Sequence, residues 1–123
     1  MEINNKQSRS EEITENYFKF LDQHIADVIS GKTTDFLEIN QIASELFISH
    51  QHLTDTIQQT TNHHPCYFYD YKIIEKAKEL LLENEKSVAE IAKMLTYDPS
   101  NFSKFFKKFV GLTPGQFKKE NKI

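Results

Sequence analysis

Hydrophobic side chains recur at intervals of three and four residues over most of the chain, the spacing that gathers them on one face of an α-helix. The first periodic stretch runs from Glu11 to Gly31. Glycine favours helix ends, so Gly31 is expected to end this helix. Its expected inward face consists of Ile13, Tyr17, Phe20 or Leu21, His24 and Val28. Shorter stretches cover residues 39–46 and 50–61, with Ile39, Ile42, Ala43, Leu46, Leu53 and Ile57 inward. A longer stretch covers residues 65–84, with an inward stripe of Phe68, Tyr71, Ile74, Ala77 or Lys78, and Leu81.

Capping residues predict where further helices begin and end. Ser49 is a favourable N-cap, and Ser87 followed by Glu90 forms a capping box that opens a short helix. Asp98 followed by proline starts a helix that Gly111 ends, and the segment from Thr113 starts a last short helix. The pattern predicts an all-α protein of seven helices with no convincing strand.

The sequence resembles itself when it is shifted by 49 residues without a gap. Between residues 42–68 and 91–117, which the shift brings into register, identical residues coincide at five positions and similar residues fill several of the positions between them. The identical pairs are Ile42/Ile91, Ala43/Ala92, Leu46/Leu95, Pro65/Pro114 and Phe68/Phe117. Each copy has a short helix with an Ile-Ala pair, a tight turn and an N-capped second helix. The small alanine lets the second helix cross closely over the first, which is the arrangement of a helix-turn-helix motif.

Composition and charge narrow the class of protein. The 123 residues are 38% hydrophobic and 27% charged, typical of a globular domain, and the single cysteine, Cys66, fits a cytoplasmic location. Neither a secretory signal nor an apolar run long enough to span a bilayer is present. The net charge of −3 hides an asymmetry, since residues 1–66 carry −6 and residues 100–123 carry +5. A locally basic surface is what phosphate binding needs, although a Lys-rich C-terminus could equally be a solvated tail.

Residues 37–119 resemble the DNA-binding domain of the AraC/XylS family of bacterial transcription regulators. The resemblance rests on residues 88–92 (VAEIA), on residues 98–108 (DPSNFSKFFKK), and on residues 111–114 (GLTP) with Phe117. It implies two helix-turn-helix subdomains of homeodomain-like architecture, joined by a long central helix and bound to consecutive major-groove segments. The chain departs from the family pattern at Glu38, Asn62 and Thr96, where the family has a small hydroxyl cap or glycine, and its second turn is one residue shorter.

We expect four segments along the chain: a disordered N-terminus (1–10), an N-terminal helix with the first helix-turn-helix (11–66), a connecting helix (67–84) and a second helix-turn-helix (85–123). A connecting helix of about 19 residues would be ~28 Å long, against ~34 Å between successive major grooves on one DNA face, so bending of the DNA would make up the difference. The family's usual effector-binding and dimerisation domain is not expected in this chain, which is either a stand-alone member or a fragment and binds DNA as a monomer.

The residues of each recognition helix that do not face the core are the candidates for DNA contact. In the first they are His50, Gln51, Thr54, Asp55 and Gln58. In the second they are Pro99, Ser100, Asn101, Lys104, Lys107 and Lys108. Amide side chains suit adenine, and lysine suits guanine or phosphate. The family resemblance implies base-facing positions at Gln51, Thr54, Asp55, Ser100, Asn101 and Lys104. Because Asp55 stands where the family commonly has a basic residue, we expect the second motif to supply most of the affinity.

Other functions are less well supported by the residues present. His50, His52, His63 and His64 lack the spacing of a zinc site, so we expect no metal and no cofactor. Scattered carboxylates without a nucleophile–histidine pair or a glycine-rich phosphate loop argue against an enzyme. The acidic N-terminal half could instead dock a protein such as RNA polymerase or a sensor, and this alternative stays open.

The many aromatic residues could also suggest a ligand pocket or a platform for single-stranded nucleic acid. Phe102, Phe106 and Phe109 have core spacing, however, whereas Phe105 and Tyr69 are harder to bury and suggest a partner surface.

Overall fold

The computed structural model describes residues 8–83 and 85–121, and within these ranges the chain forms seven α-helices and no strand. The helices are α1 (Arg9–Ser30), α2 (Ile39–Glu45), α3 (His50–Thr61), α4 (Pro65–Glu83), α5 (Val88–Met94), α6 (Pro99–Val110) and α7 (Pro114–Glu120). The all-α fold class is therefore confirmed. Of the N-terminus expected to be disordered (1–10), residues 1–7 lie outside the described residues, as does the expected helix end at Asn84, whereas Arg9 and Ser10 are helical. None of these seven helices is long and apolar enough to cross a membrane.

Local capping chemistry sets the helix boundaries, as the sequence predicts. Ser49 Oγ accepts a hydrogen bond from the His52 amide (3.0 Å), and Asp98 Oδ2 accepts one from the Ser100 amide (3.0 Å). Gly111 ends α6 in the left-handed conformation. The hydrogen bonds to Ser49 and Asp98 satisfy amides that would otherwise lack partners in the first turns of α3 and α6. The first helix begins at Arg9, two residues before the periodic pattern becomes clear.

The described residues divide into two compact units, and the division falls inside α1 and α4. Unit 1 contains the chain up to Gln23 together with Leu37–Tyr69. Its core is formed by Ile13, Tyr17, Leu21, Ile42, Ala43, Leu53 and Ile57. The Tyr17 hydroxyl donates to the Pro65 carbonyl at 2.8 Å, which ties α1 to the start of α4.

Unit 2 contains His24–Phe36 and the chain from Asp70 onward. Its core is a cluster of Ile74, Ala77, Leu81, Ile91, Ala92, Leu95, Phe102 and Phe106. Ile29 and Phe36 pack against this cluster, so the last turns of α1 and the loop after it belong with the second helix-turn-helix. Within the unit, α6 packs on α5 and on α7.

Four aromatic residues differ in burial from what the sequence pattern predicts. Phe109, expected in the core, is 42% exposed, and Tyr71, expected in the inward stripe of α4, is 53% exposed. Tyr69, expected at a partner surface, is buried, and its ring can be buried because its hydroxyl donates to the Leu37 carbonyl at 2.8 Å. Phe105, also expected at a partner surface, is half-buried and packs against the core cluster of unit 2.

Candidate nucleic-acid interface

The turn of the first helix-turn-helix follows a helix-ending motif that needs a left-handed residue. Phe47 adopts φ 63°, and the amide of Ile48 donates to the Ala43 carbonyl at 3.1 Å. This bond closes the end of α2 in the pattern of a Schellman motif. Ser49 then caps α3, so four residues, 46–49, separate the two helices.

The turn of the second helix-turn-helix repeats this geometry 49 residues later. Thr96 adopts φ 61°, and the amide of Tyr97 donates to the Ala92 carbonyl at 2.8 Å. Asp98 caps α6, and four residues, 95–98, again separate the two helices. The internal sequence repeat is therefore a repeat of backbone conformation, down to the sign of φ at Phe47 and Thr96.

The first recognition helix, α3, exposes the residues that the sequence predicts for DNA contact. Leu53, Thr56 and Ile57 are buried on its inner side. Of the five predicted residues, Thr54 is half-buried and the others are exposed: His50, Gln51, Asp55 and Gln58. Gln51 Nε2 donates a hydrogen bond to Asp55 Oδ1 at 2.9 Å. These residues share a helix surface whose only charged group is a carboxylate.

The second recognition helix, α6, also has a buried side and an exposed side, but its exposed side is positively charged. Phe102 and Phe106 are fully buried. All six predicted residues are exposed: Pro99, Ser100, Asn101, Lys104, Lys107 and Lys108. The helix carries no acidic residue, and its last turn places two lysines where the helix dipole favours positive charge.

The three lysines of α6 differ in their surroundings. Lys108 Nζ lies over the Phe109 ring, 5.7 Å from its centroid, and its charge acts on Asp70. Burial raises the pKa of the Asp70 carboxyl above its ordinary value, and Lys108 opposes this shift. Lys104 and Lys107 form no salt bridge with any residue in the described part of the chain. Their charges therefore remain available to a ligand.

Several aromatic residues of unit 2 pack against one another along α6. Tyr97 stacks on Phe105, with ring centroids 5.2 Å apart, and Phe105 contacts Phe109 edge-on at 5.2 Å. Burial, with a smaller effect of Asp70, raises the pKa of Tyr97 to about 12. Tyr97 is therefore neutral at physiological pH and packs against the inner side of the recognition helix.

Three exposed residues of α3 were not among the sequence candidates, namely His52, Gln59 and Thr60. The 49-residue repeat places His52 and Gln59 opposite Asn101 and Lys108, which were candidates. Applying the repeat to every outward position would have identified these two. No group of three or more potential metal ligands lies together in the part of the chain that the structure describes.

A family model described as a helix-turn-helix domain matches residues 42–120. The Msm operon regulatory protein of Streptococcus mutans is 33% identical over 98 residues, covering 78% of this chain and 35% of that relative. The chain thus spans about a third of the length of this curated relative.

Two solved structures share the fold. The C-terminal domain of AraT, a response regulator from Geobacillus stearothermophilus, has a TM-score of 0.79 at 28% identity, covering 94% of this chain and 91% of that one. A Chromobacterium violaceum transcriptional regulator, described among AraC-type DNA-binding domain-containing proteins, has a TM-score of 0.76 at 18% identity, covering 92% and 95%.

Proposed function

Because the chain belongs to the AraC-type family of helix-turn-helix DNA-binding domains, we propose that α3 and α6 read two adjacent major-groove segments of one duplex and thereby regulate transcription. The observation that carries this proposal is the outer surface of α6. Its six candidate residues are all exposed, opposite two fully buried phenylalanines, and three of the six are lysines. A helix exposed in this way can enter a major groove without disturbing its packing.

The second motif supplies most of the affinity in this proposal. Phosphate neutralisation by lysine and arginine dominates non-specific DNA binding. Lys104 and Lys107 have no intramolecular ion pair within the described residues, whereas α3 carries neither lysine nor arginine. The first motif then contributes mainly through base contacts, because it has little to offer a phosphate.

The test is a titration of the full chain with a random-sequence duplex at several salt concentrations, followed by fluorescence anisotropy. Replacing both Lys104 and Lys107 by alanine should weaken binding at every sequence and flatten the dependence of log K on log salt by roughly one to two units. A variant with Lys19→Ala and Lys32→Ala removes the same charge outside both motifs and should keep the wild-type slope. An unchanged slope in the α6 variant would contradict the assignment.

A single chain supplies two recognition helices, so we propose that it binds its site as a monomer in the cytoplasm. Dimeric helix-turn-helix proteins contact two half-sites because each subunit supplies one motif. A chain with two motifs does not need a second subunit for this. Titration of a short duplex well above Kd should saturate at one chain per duplex. Saturation at two chains would contradict the monomer.

A second candidate function is protein binding through unit 1. Tyr67 is 46% exposed and stacks on His63 with 4.0 Å between ring centroids, and the N-terminal half of the sequence is acidic. These features would suit a partner such as RNA polymerase. If the chain were only such a module, the titration with random duplex would show no salt-dependent binding.

A further inference from the structure

We propose that Asp55, held by Gln51, determines the base specificity of the first motif by accepting a hydrogen bond from an exocyclic amino group in the major groove. This inference rests on the proposed function and deepens it, since it names the base chemistry that α3 recognises. The amino group is either N6 of adenine or N4 of cytosine. Guanine and thymine present only acceptors at the corresponding positions.

The position of the pair on α3 supports this assignment. Residues four apart lie on the same helix face, and the face carrying Gln51 and Asp55 is turned away from the buried Leu53 and Ile57. Both side chains are exposed, and their 2.9 Å hydrogen bond fixes the carboxylate against the amide. The carboxylate oxygen that is not in this bond can still accept, and so can the Gln51 carbonyl oxygen. One N–H of the amide also stays available.

The negative charge of Asp55 strengthens the selection of an amino group over the acceptors of guanine and thymine. Asp55 forms no salt bridge in the described ranges 8–83 and 85–121, and α3 carries neither lysine nor arginine. A carboxylate in the groove repels the acceptors O6 and N7 of guanine and O4 of thymine, whereas an amino group satisfies it. The equivalent position of the second motif, 49 residues later, is Lys104, which has the opposite preference.

In-vitro selection from synthetic duplexes with a randomised central segment tests the assignment. The full chain should select adenine or cytosine over guanine by about tenfold at one position of one segment, as expected for one base-specific polar contact. Asp55→Asn keeps the shape and removes the charge, and it should bring discrimination against guanine at that position to within about twofold. Glu45→Gln makes the same charge change at an exposed residue outside α3 and should leave the selected sequence unaltered.

Two further variants identify the contacted segment and the base. Asn101→Ala should change selection only in the other segment, which assigns each segment to its motif. If adenine is selected and Gln51→Ala abolishes the preference, the amide and carboxylate read adenine N6 and N7 together. If cytosine is selected and Gln51→Ala leaves the preference in place, the carboxylate reads N4 directly.

The outcomes separate this inference from the proposed function. Salt-dependent binding with a base ranking that Asp55→Asn leaves unchanged would overturn the role of Asp55 alone, as would selection of guanine in the segment assigned to α3. Absence of salt-dependent binding to any duplex would overturn the proposed function and this inference with it.

Discussion

At the position where the first motif carries Asp55 the second carries Lys104, and the next turn of each helix continues the contrast with Gln58 and Lys107. The buried positions show no such contrast. Leu53 corresponds to Phe102 and Ile57 to Phe106, and all four of these side chains are fully buried and apolar. The two motifs are thus alike inside and opposite in charge outside.

This difference separates what the fold requires from what the function requires. Burial of apolar side chains and the capping of each helix determine the backbone, while exposed substitutions away from such contacts change stability by only about 0.5 kcal/mol or less. The outer surfaces of α3 and α6 can therefore diverge on a common scaffold. A strongly basic α6 and an acceptor-rich α3 would recognise different features of the same duplex.

The largest expected effect concerns the shared interior. Ile57 and Phe106 are equivalent in the repeat and both fully buried, so Ile57→Ala should lower the free energy of unfolding by about 2–5 kcal/mol and Phe106→Ala by about 3–5 kcal/mol. Urea denaturation measures both. Phe109→Ala is the control in α6, with an expected cost of about 1 kcal/mol or less because its ring is 42% exposed. A cost for Phe109→Ala equal to that of Phe106→Ala would contradict the burial pattern.

A smaller effect is expected at the two turns, where left-handed residues carry side chains that disfavour that conformation. A side chain at such a φ costs about 1–2 kcal/mol, and the flexibility that glycine adds to the unfolded chain offsets about 0.4–1 kcal/mol of the relief. We expect Thr96→Gly to stabilise the protein by about 0.5–1 kcal/mol and Phe47→Gly by less, because Thr96 is β-branched. Thermal unfolding followed by circular dichroism provides the comparison.

Asn62→Gly is the matched reference for these turns. Asn62 also has a positive φ (68°), but asparagine tolerates the left-handed region, so the change should be near zero. Destabilisation by Thr96→Gly would show that the threonine side chain makes a contact worth more than the backbone strain.

The helices and the outward residues of the interface could be predicted from the sequence because they depend on local chemistry. A 3.6-residue period and caps such as Ser49 and Asp98 act within a few residues, and the side of a helix opposite its apolar stripe is exposed. Ten of the eleven candidate contact residues are exposed, and Thr54 is half-buried. Which of them touch DNA stays a prediction.

The features that the sequence did not predict depend on distant partners or on positions at the edge of a stripe. Phe109 lies on the same side of α6 as the buried Phe102, seven residues earlier, but it is in the last turn of the helix, and the helical period alone does not reveal where the packing against neighbouring elements ends. Burial of Tyr69 requires an acceptor 32 residues away at Leu37, and no local pattern reveals that. The division of α1 between two compact units likewise depends on packing against Phe36 and the cluster around Phe106.

The smallest expected effect again separates the two regions, through their histidines. His24, in unit 2, is buried with the Phe36 ring edge-on at 5.8 Å, while the histidines of unit 1 are exposed: His50, His52, His63 and His64. Burial lowers the pKa of His24 below its ordinary 6.5, and Asp27 opposes the shift. The folded state therefore holds the neutral imidazole more strongly than the unfolded state does.

The sign of the pH dependence follows from this. The stability linked to neutral His24 is present above about pH 6.5 and is lost as the pH falls, because the unfolded chain then takes up a proton that the folded chain resists. The loss of Tm between about pH 7.5 and pH 5.5 should be smaller in His24→Gln than in the wild type, whatever the variant's stability at pH 7.5. His50→Gln, at an exposed site of unit 1, should keep the wild-type difference. An equal loss in His24→Gln and the wild type would place the acid sensitivity elsewhere and remove this distinction between the two regions.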